Sequence, residues 1–331
     1  MKADMNAPVS LPVPPTLPRR IDLVDAARGV ALLAMFVFHF AYDLSLLELI
    51  ATDIQSHTAW RLFARMIAAT FLTLVGISLV LATRDGLNRK AYLKRLAMVG
   101  AAATLVTVAT FFAIPDNFIF FGILHQVALA SVLALPFLRA RPALLLGTAL
   151  LVFAAPLAIA HPVLDTPALA WLGLSDLPLQ SADFVPVFPW FGWVLVGMAL
   201  GRLSLASPLA ARLAQWRGDS LPARGLIWGG RHSLLVYLVH QPVFMGALLL
   251  AIQLGLARPD EERPFLTSCQ RSCASEALST ATCTALCGCT MAKIKEAGLW
   301  RKTVENALTP DDSLRTTEFA RACYRQGNPQ P

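Results

Sequence analysis

The sequence predicts an all-α protein, a polytopic membrane helix bundle of about seven transmembrane helices with a cysteine-rich, helical C-terminal tail. Three observations lead to this class. Hydrophobic residues make up 56% of the 331 residues, and the mean hydropathy is +0.57. Charged residues make up only 15%, against about 25% in soluble domains, so there is too little charge to cover a soluble surface. All six cysteines follow the last apolar block.

The apolar residues form seven blocks close to the ~20 residues that a helix needs to cross the hydrocarbon layer. They do not alternate with period two, which argues against a transmembrane barrel. In chain order the blocks are Leu23–Phe40, Ala64–Ala82, Leu96–Ile114, Phe118–Leu138, Ala143–Ala160, Phe184–Leu200 and Ser233–Leu256.

The segments between the blocks alternate in charge, and this alternation predicts the orientation. Lysines and arginines concentrate before block one and between blocks two and three, four and five, and six and seven, whereas segments 115–117 and 161–183 contain none. Only Arg61 and Arg65 go against the pattern. Since positive loops stay in the cytoplasm, we expect a cytoplasmic N-terminus and a periplasmic tail in a bacterial inner membrane. The net charge of +7 then reflects topology, and no nucleic-acid partner is expected.

Three regions follow from these patterns. Residues 1–20 are rich in proline and have no apolar signal-peptide core, so we expect a disordered cytoplasmic leader. Residues 21–257 are the predicted transmembrane domain. Residues 258–331 are the predicted extracytoplasmic tail.

The cysteines predict disulfides in that tail. Cys269 and Cys273 lie one helical turn apart, as do Cys283 and Cys287. Two such helices packed antiparallel are joined by two bridges, which leaves a third pair, Cys289 and Cys323. Six cysteines nevertheless allow fifteen connectivities. A zinc or iron–sulfur site is the alternative, but the spacing is not the usual Cys-x2-Cys and the tail has no histidine.

Polar residues inside the apolar blocks indicate function, because an ionisable group in hydrocarbon costs roughly 3 kcal/mol. Arg28 and His39 share one face of block one and lie ~16 Å apart along its axis. His125 lies in block four and His240 in block seven. Each histidine taken alone is equally consistent with a hydrogen bond between neighbouring helices, and Arg28 with a topology anchor paired to Asp25. Several histidines in one bundle are harder to explain in this way.

A series of motifs carries a resemblance. Arg28 and His39 form an Arg-x10-His pattern typical of membrane acyltransferases. The wider series comprises Asp25-x2-Arg28-Gly29, His57-x2-Trp60, Phe71-x4-Gly76-Ile77-Ser78, Phe121–His125, Phe188–Gly192 and Gly230–Leu234 leading to His240-Gln241-Pro242. Together, over about Arg20 to Leu256, they resemble the bacterial relatives of the heparan-α-glucosaminide N-acetyltransferase catalytic domain.

The resemblance implies transfer of an acetyl group from cytosolic acetyl-CoA, as co-substrate, to a hydroxyl or amine of an acceptor across the membrane. It implies His57 as the catalytic histidine, with His39 and His125 as further catalytic candidates. His39 stands where the animal enzyme has asparagine. Arg28, Asp25, Arg231 and His240 are the candidate cofactor-binding residues. We expect no metal and no haem.

Other classes stay open at this stage. A haem protein would use His39, His125 or His240 as axial ligands, and a transporter would bind a small polar solute near the kink that Pro242 allows. A structural subunit would leave the buried histidines unexplained. The expected partners are the lipid bilayer and a small-molecule or glycan acceptor. The sequence does not decide the identity of the acceptor, the choice between direct transfer and an acetyl-histidine intermediate, or whether the chain forms a homo-oligomer.

Overall fold

A computed structural model describes residues 21–159, 161–176, 179–274 and 278–327; the predicted leader lies outside these residues. Its regular structure is helical, and the described residues contain no strand. The α-helices are α1 Asp22–Leu46, α2 Thr58–Thr83, α3 Arg89–Ala113, α4 Ile123–Leu133, α5 Pro142–Ala158, α6 Val187–Leu205, α7 Leu209–Gln215, α8 Leu221–Arg231, α9 Ser233–Gln253, α10 Glu262–Ala274, α11 Thr280–Glu296, α12 Trp300–Val304 and α13 Pro310–Gly327. The all-α class is confirmed.

Five helices, α1, α2, α3, α6 and α9, are long and apolar enough to cross a membrane. The fourth and fifth apolar blocks form the shorter helices α4, with 11 residues, and α5, with 17 residues. Block four is shortened because its first part, 118–122, is not helical. The backbone there bonds to other segments: Thr110 Oγ1 accepts from the Ile119 N–H, and Phe121 O accepts from the Val185 N–H. Irregular backbone is tolerated at membrane depth only where protein supplies such partners.

The described residues divide into two compact units. The first consists of the residues up to His39 together with Thr58–Val243, and the second consists of Phe40–His57 together with the residues from Phe244 onward. The domain boundaries predicted at residues 20 and 257 stay predictions.

In the first unit, α2 packs closely on α6 through two glycines. A Cβ atom on Gly76 would overlap the Val194 backbone oxygen, and one on Gly197 would overlap the Thr73 backbone oxygen. Only a residue without a side chain lets the two backbones approach this closely. Fully buried residues of α2, α4, α5 and α6 surround this contact; they include Leu72, Ala130, Leu145, Val194 and Met198.

Close backbone contact at two glycines also joins α1 to α8. Cβ atoms on Gly29 and Gly230 would overlap the backbone oxygens of Leu226 and Asp25, respectively. This contact brings Arg231, at the end of α8, beside the first turn of α1.

In the second unit, three disulfides join the tail helices: Cys269–Cys287 and Cys273–Cys283 between α10 and α11, and Cys289–Cys323 between α11 and α13. The predicted disulfides and the helical tail are confirmed. Arg263 binds the segment that follows α1, through Glu48 at 3.1 Å and the Ile50 backbone oxygen. Ile54 of that segment is 1% exposed, so its side chain is fully buried although its neighbours are exposed.

Candidate active site

An ionic cluster forms where α1 meets α8. The Arg28 guanidinium donates to Asp25 Oδ1 at 2.9 Å, to Ser78 Oγ at 2.5 Å and to the Gly230 carbonyl at 3.4 Å. Arg231 donates to Asp25 Oδ2 at 3.3 Å and to Asp22 Oδ1 at 2.8 Å. Asp25, Arg28 and Arg231, three of the predicted cofactor-binding residues, are therefore brought together. Ser78, in the quoted Gly76-Ile77-Ser78 motif, is part of the cluster although the sequence did not single it out as a site residue.

A cavity of about 1750 Å³ opens beside this cluster and lies entirely within the first unit. Along α1 it is lined from Ile21 to His39, a distance of ~27 Å at 1.5 Å per residue. Its lining contains five arginines, Arg28, Arg65, Arg84, Arg95 and Arg231, and four acids, Asp25, Asp85, Asp165 and Asp183. At the end nearest the first turn of α1, the four guanidinium groups of Arg28, Arg84, Arg95 and Arg231 outnumber the carboxylates of Asp25 and Asp85 in the lining and of Asp22 beside it.

Arg95 differs from Arg28. Its side chain is exposed to the cavity, and within the part of the chain that the structure describes no carboxylate is paired with it. Arg28, in contrast, uses both terminal nitrogens on protein groups. Arg95 is therefore the guanidinium with the most unused donors in this region.

His39 and His240 meet at the other end. Their ring centroids lie 4.9 Å apart, with the rings close to perpendicular at 65°. The Tyr237 carbonyl oxygen accepts the hydrogen of His240 Nδ1, so the neutral imidazole carries its lone pair on Nε2. His39 lines the cavity, and His240 lies behind it as its neighbour.

His125 occupies a different position. Its Nδ1 accepts the Gly122 N–H at 3.2 Å, and its Nε2 lies 3.2 Å from Thr107 Oγ1. Both ring nitrogens are engaged, and His125 is not part of the cavity lining. This geometry favours a role in starting α4, where the first backbone N–H groups have no partner within the helix.

His57 is exposed and lies in the second unit. Its backbone N–H donates to the Asp53 backbone carbonyl oxygen at 3.2 Å. Trp60, one turn later, belongs to the first unit and lies 6.3 Å from Phe38, ring centroid to ring centroid. The catalytic role of His57 stays a prediction.

Two further residues of the cavity wall were missed. Asp183 precedes α6, and its Oδ2 accepts the Ile123 N–H at 2.8 Å. Tyr237 interacts with the same carboxyl group. Both residues line the cavity. An acid at the edge of an apolar block looks like a solvated loop residue in sequence, and the tyrosine gave no signal except its place three residues before His240.

The profile of one protein family, described as heparan-alpha-glucosaminide N-acetyltransferase, catalytic, matches residues 20–242, about two thirds of the chain. The chain belongs to this family. The match ends at the end of the first unit, just after His240, and leaves the cysteine-rich tail outside. No curated protein and no solved structure gives a significant match.

Membership makes the chain a membrane protein with a transmembrane acetyltransferase domain. The matched span contains the ionic cluster, the whole cavity lining and the His39–His240 pair. Among the described residues, no group of three or more histidine, cysteine, aspartate or glutamate side chains is arranged to hold a metal ion.

Proposed function

We propose that this protein takes an acetyl group from cytosolic acetyl-CoA and transfers it to a hydroxyl or amine of an extracytoplasmic acceptor, a sugar or a related small molecule. The observation that carries the proposal is the cavity itself. It connects an arginine-rich end to the histidine pair within a domain of an acetyltransferase family.

Coenzyme A has phosphates at one end and a thioester at the end of a long arm. The arginine-rich end suits the phosphates, because guanidinium groups make charge-assisted bonds with them. Arg95 supplies unused hydrogen-bond donors. The hydrogen bonds of Asp25 with Arg28 and Arg231 keep α1 and α8 together at this end of the cavity. The arm then extends along α1 toward His39, ~16 Å from Arg28 along the helix axis.

At the far end, His39 is proposed to position the thioester, and His240 holds His39 from behind. His57 is proposed as the base or as the carrier of the acetyl group. A neutral imidazole serves either role, since it accepts a proton or attacks a carbonyl carbon with its lone pair.

One observation favours transport of a small polar solute as a second candidate function. The helix α4 has only 11 residues and begins beside the cavity, and short broken helices are typical of substrate sites in transporters. Pro242 lies within α9 and removes one backbone donor there, although the helix continues through it to Gln253.

A labelling experiment separates the two functions. Membranes containing the protein receive acetyl-CoA labelled in the acetyl group, with glucosamine as an amine probe and a methyl glucoside as a hydroxyl probe. Transfer of label to either probe or to a membrane glycan, with release of the coenzyme A thiol, supports the acetyltransferase. Absence of both acetyl-CoA binding and thiol release would contradict it.

A further inference from the structure

Four titratable side chains form a continuous row, and three of them, Asp183, Tyr237 and His39, line the cavity. The Asp183 carboxyl group interacts with Tyr237, and the Tyr237 ring lies 5.5 Å from the His240 ring, centroid to centroid. The His240 ring in turn lies 4.9 Å from that of His39. The row places Asp183 and His39 in the wall of one cavity.

The Asp183 carboxyl group is held by three separate features of the fold. The helix α4 begins beside it, so that the unpartnered Ile123 N–H donates to Oδ2. Gly122 leaves the room that Oδ2 occupies, because a Cβ atom there would overlap that oxygen. Tyr237, on α9, also interacts with this carboxyl group. The hydrogen bond from the Ile123 N–H favours the ionised, proton-accepting form, whereas burial disfavours it and raises the pKa of the Asp183 carboxyl group to about 6.

A carboxylate in an otherwise apolar bundle is expensive, and such groups are retained where they act. Capping of α4 alone does not require one. A serine, threonine or asparagine side chain caps a helix start at lower desolvation cost. Neither capping nor packing requires the carboxyl group to line the cavity that contains His39.

We propose that Asp183 is a catalytic residue that accepts the proton of the acetyl acceptor. The inference rests on the proposed acetyltransferase function and deepens it. The acceptor oxygen or nitrogen bonds to the acetyl carbonyl carbon, the carbon–sulfur bond breaks, and sulfur leaves as the coenzyme A thiolate. The acceptor proton passes to the Asp183 carboxylate and from there to the thiolate, which restores the site. Where His57 first carries the acetyl group, its nitrogen bonds to the carbonyl carbon, the carbon–sulfur bond breaks, and the imidazolium proton goes to the thiolate. In the second step the acceptor bonds to the acetyl carbon, the carbon–nitrogen bond to His57 breaks, and the acceptor proton passes through Asp183 to the imidazole nitrogen.

The decisive variant is Asp183→Asn in the full-length protein. The amide oxygen still accepts from the Ile123 N–H, so the start of α4 is preserved, but the side chain no longer takes up a proton. We expect thiol release and acetyl transfer to the glucosamine and methyl glucoside probes to fall ~10²–10⁴-fold. Acetyl-CoA affinity should stay within about threefold, since Asp183 contacts no part of the arginine-rich end.

Two further variants complete the test. Asp176→Asn removes an exposed acid from the same loop, outside the cavity lining, and should retain wild-type turnover. Tyr237→Phe keeps the carboxylate and its bond to Ile123 but removes the hydroxyl that interacts with it, so turnover should fall roughly tenfold. This variant decides the question if Asp183→Asn does not fold.

Wild-type turnover in folded Asp183→Asn overturns the assignment, as does wild-type turnover in Tyr237→Phe where the first variant does not fold. A wild-type protein that neither binds acetyl-CoA nor releases thiol would instead overturn the acetyltransferase proposal. The two failures are therefore distinguishable.

Discussion

Among the three membrane histidines, the hydrogen-bond partners separate the candidate roles. His125 has both ring nitrogens occupied by neighbours, Gly122 and Thr107. His240 donates from Nδ1 to the backbone and packs against His39. His39 faces the cavity. The sequence offered His39 and His125 as catalytic candidates and His240 as a cofactor-binding candidate, but an ionisable residue in an apolar block carries no information about which neighbour satisfies it.

His39→Ala and His57→Ala should each lower turnover strongly while acetyl-CoA binding stays nearly intact. Loss of a proton-transfer group costs ~10²–10⁴-fold in rate, and misplacing the thioester costs about 10²-fold, far more than loss of a packing contact. If the two histidines serve the same catalytic step, turnover of the double variant should be no lower than that of the less active single variant. Thiol release by the purified variants measures this. His161→Ala, at an exposed position in the loop before α6, is the control. Near wild-type turnover in both single variants would remove these histidines from the site.

Arg95→Gln should weaken acetyl-CoA binding about 10–100-fold, because a hydrogen bond to a charged group is worth roughly 1.5–3 kcal/mol. Arg28→Lys keeps the charge but loses the fork that reaches both Asp25 and Ser78, so affinity should fall as well. Equilibrium binding of labelled acetyl-CoA measures both effects. Arg89→Gln, at an exposed position in the first turn of α3 outside the cavity lining, should bind normally. Unchanged affinity in both test variants would place the phosphates elsewhere.

At the scale of elements, close approach of backbones explains four glycines within the matched residues 20–242. Gly76 and Gly197 bring α2 and α6 together, and Gly29 and Gly230 bring α1 and α8 together. The first contact supports one wall of the cavity, and the second places Arg231 beside Asp25. The chemistry thus depends on packing between helices that are far apart in sequence.

Gly197→Ala should destabilise the first unit by ~1–3 kcal/mol, because the added methyl group forces two backbones apart. Gly100→Ala is the matched control. Gly100 lies within α3 with nothing within 4 Å of an added Cβ, and alanine favours a helix over glycine. Thermal unfolding of the purified protein in detergent should therefore separate the two variants in opposite directions. A Gly197→Ala protein as stable as wild type would show that α2 and α6 separate at no cost.

In the tail, the hydrogen bond from Lys302, supported by Thr309, lowers the pKa of Asp312 below its usual value. Ionised Asp312 therefore stabilises the junction of α12 and α13 at any pH above the unfolded pKa of about 4. This contribution is lost as the pH falls through the lower, folded pKa. Hydrogen exchange of α13 should accelerate in that acidic window in wild type, whereas Asp312→Asn should show less dependence on pH. Equal acid sensitivity in the variant would assign the effect to other carboxyl groups.

At the scale of the whole molecule, the sequence predicted what depends on local pattern. Helical class follows from hydropathy, and disulfides in the tail follow from thiols one turn apart, although the sequence left their connectivity open. The sequence placed the start of the fourth helix at Phe118, too early by five residues. Phe118–Gly122 is as apolar as the helix that follows, but its backbone forms hydrogen bonds with other segments. Asp183 and Tyr237 were missed because their meeting depends on contacts between residues 54 positions apart, which no single-sequence pattern records.

The predicted orientation places the tail outside the cytoplasm. A membrane-impermeant thiol reagent should then label Cys269 to Cys323 in intact spheroplasts only after reduction, because the structure pairs all six cysteines. Lysed spheroplasts without reductant are the control and should stay unlabelled. Labelling that requires lysis would reverse the orientation and, with it, the side from which acetyl-CoA enters.

The make-up of the second unit sets an order for its assembly during synthesis. Its two parts, Phe40–His57 and the region from Phe244 onward, are separated along the chain by the whole of Thr58–Val243. Glu48 leaves the ribosome long before Arg263, its partner 215 residues later. The disulfides close loops of only 10, 18 and 34 residues, so they can form within the tail as soon as the tail has been synthesised. The segment between α1 and α2 must wait for that tail, and this unit is completed last.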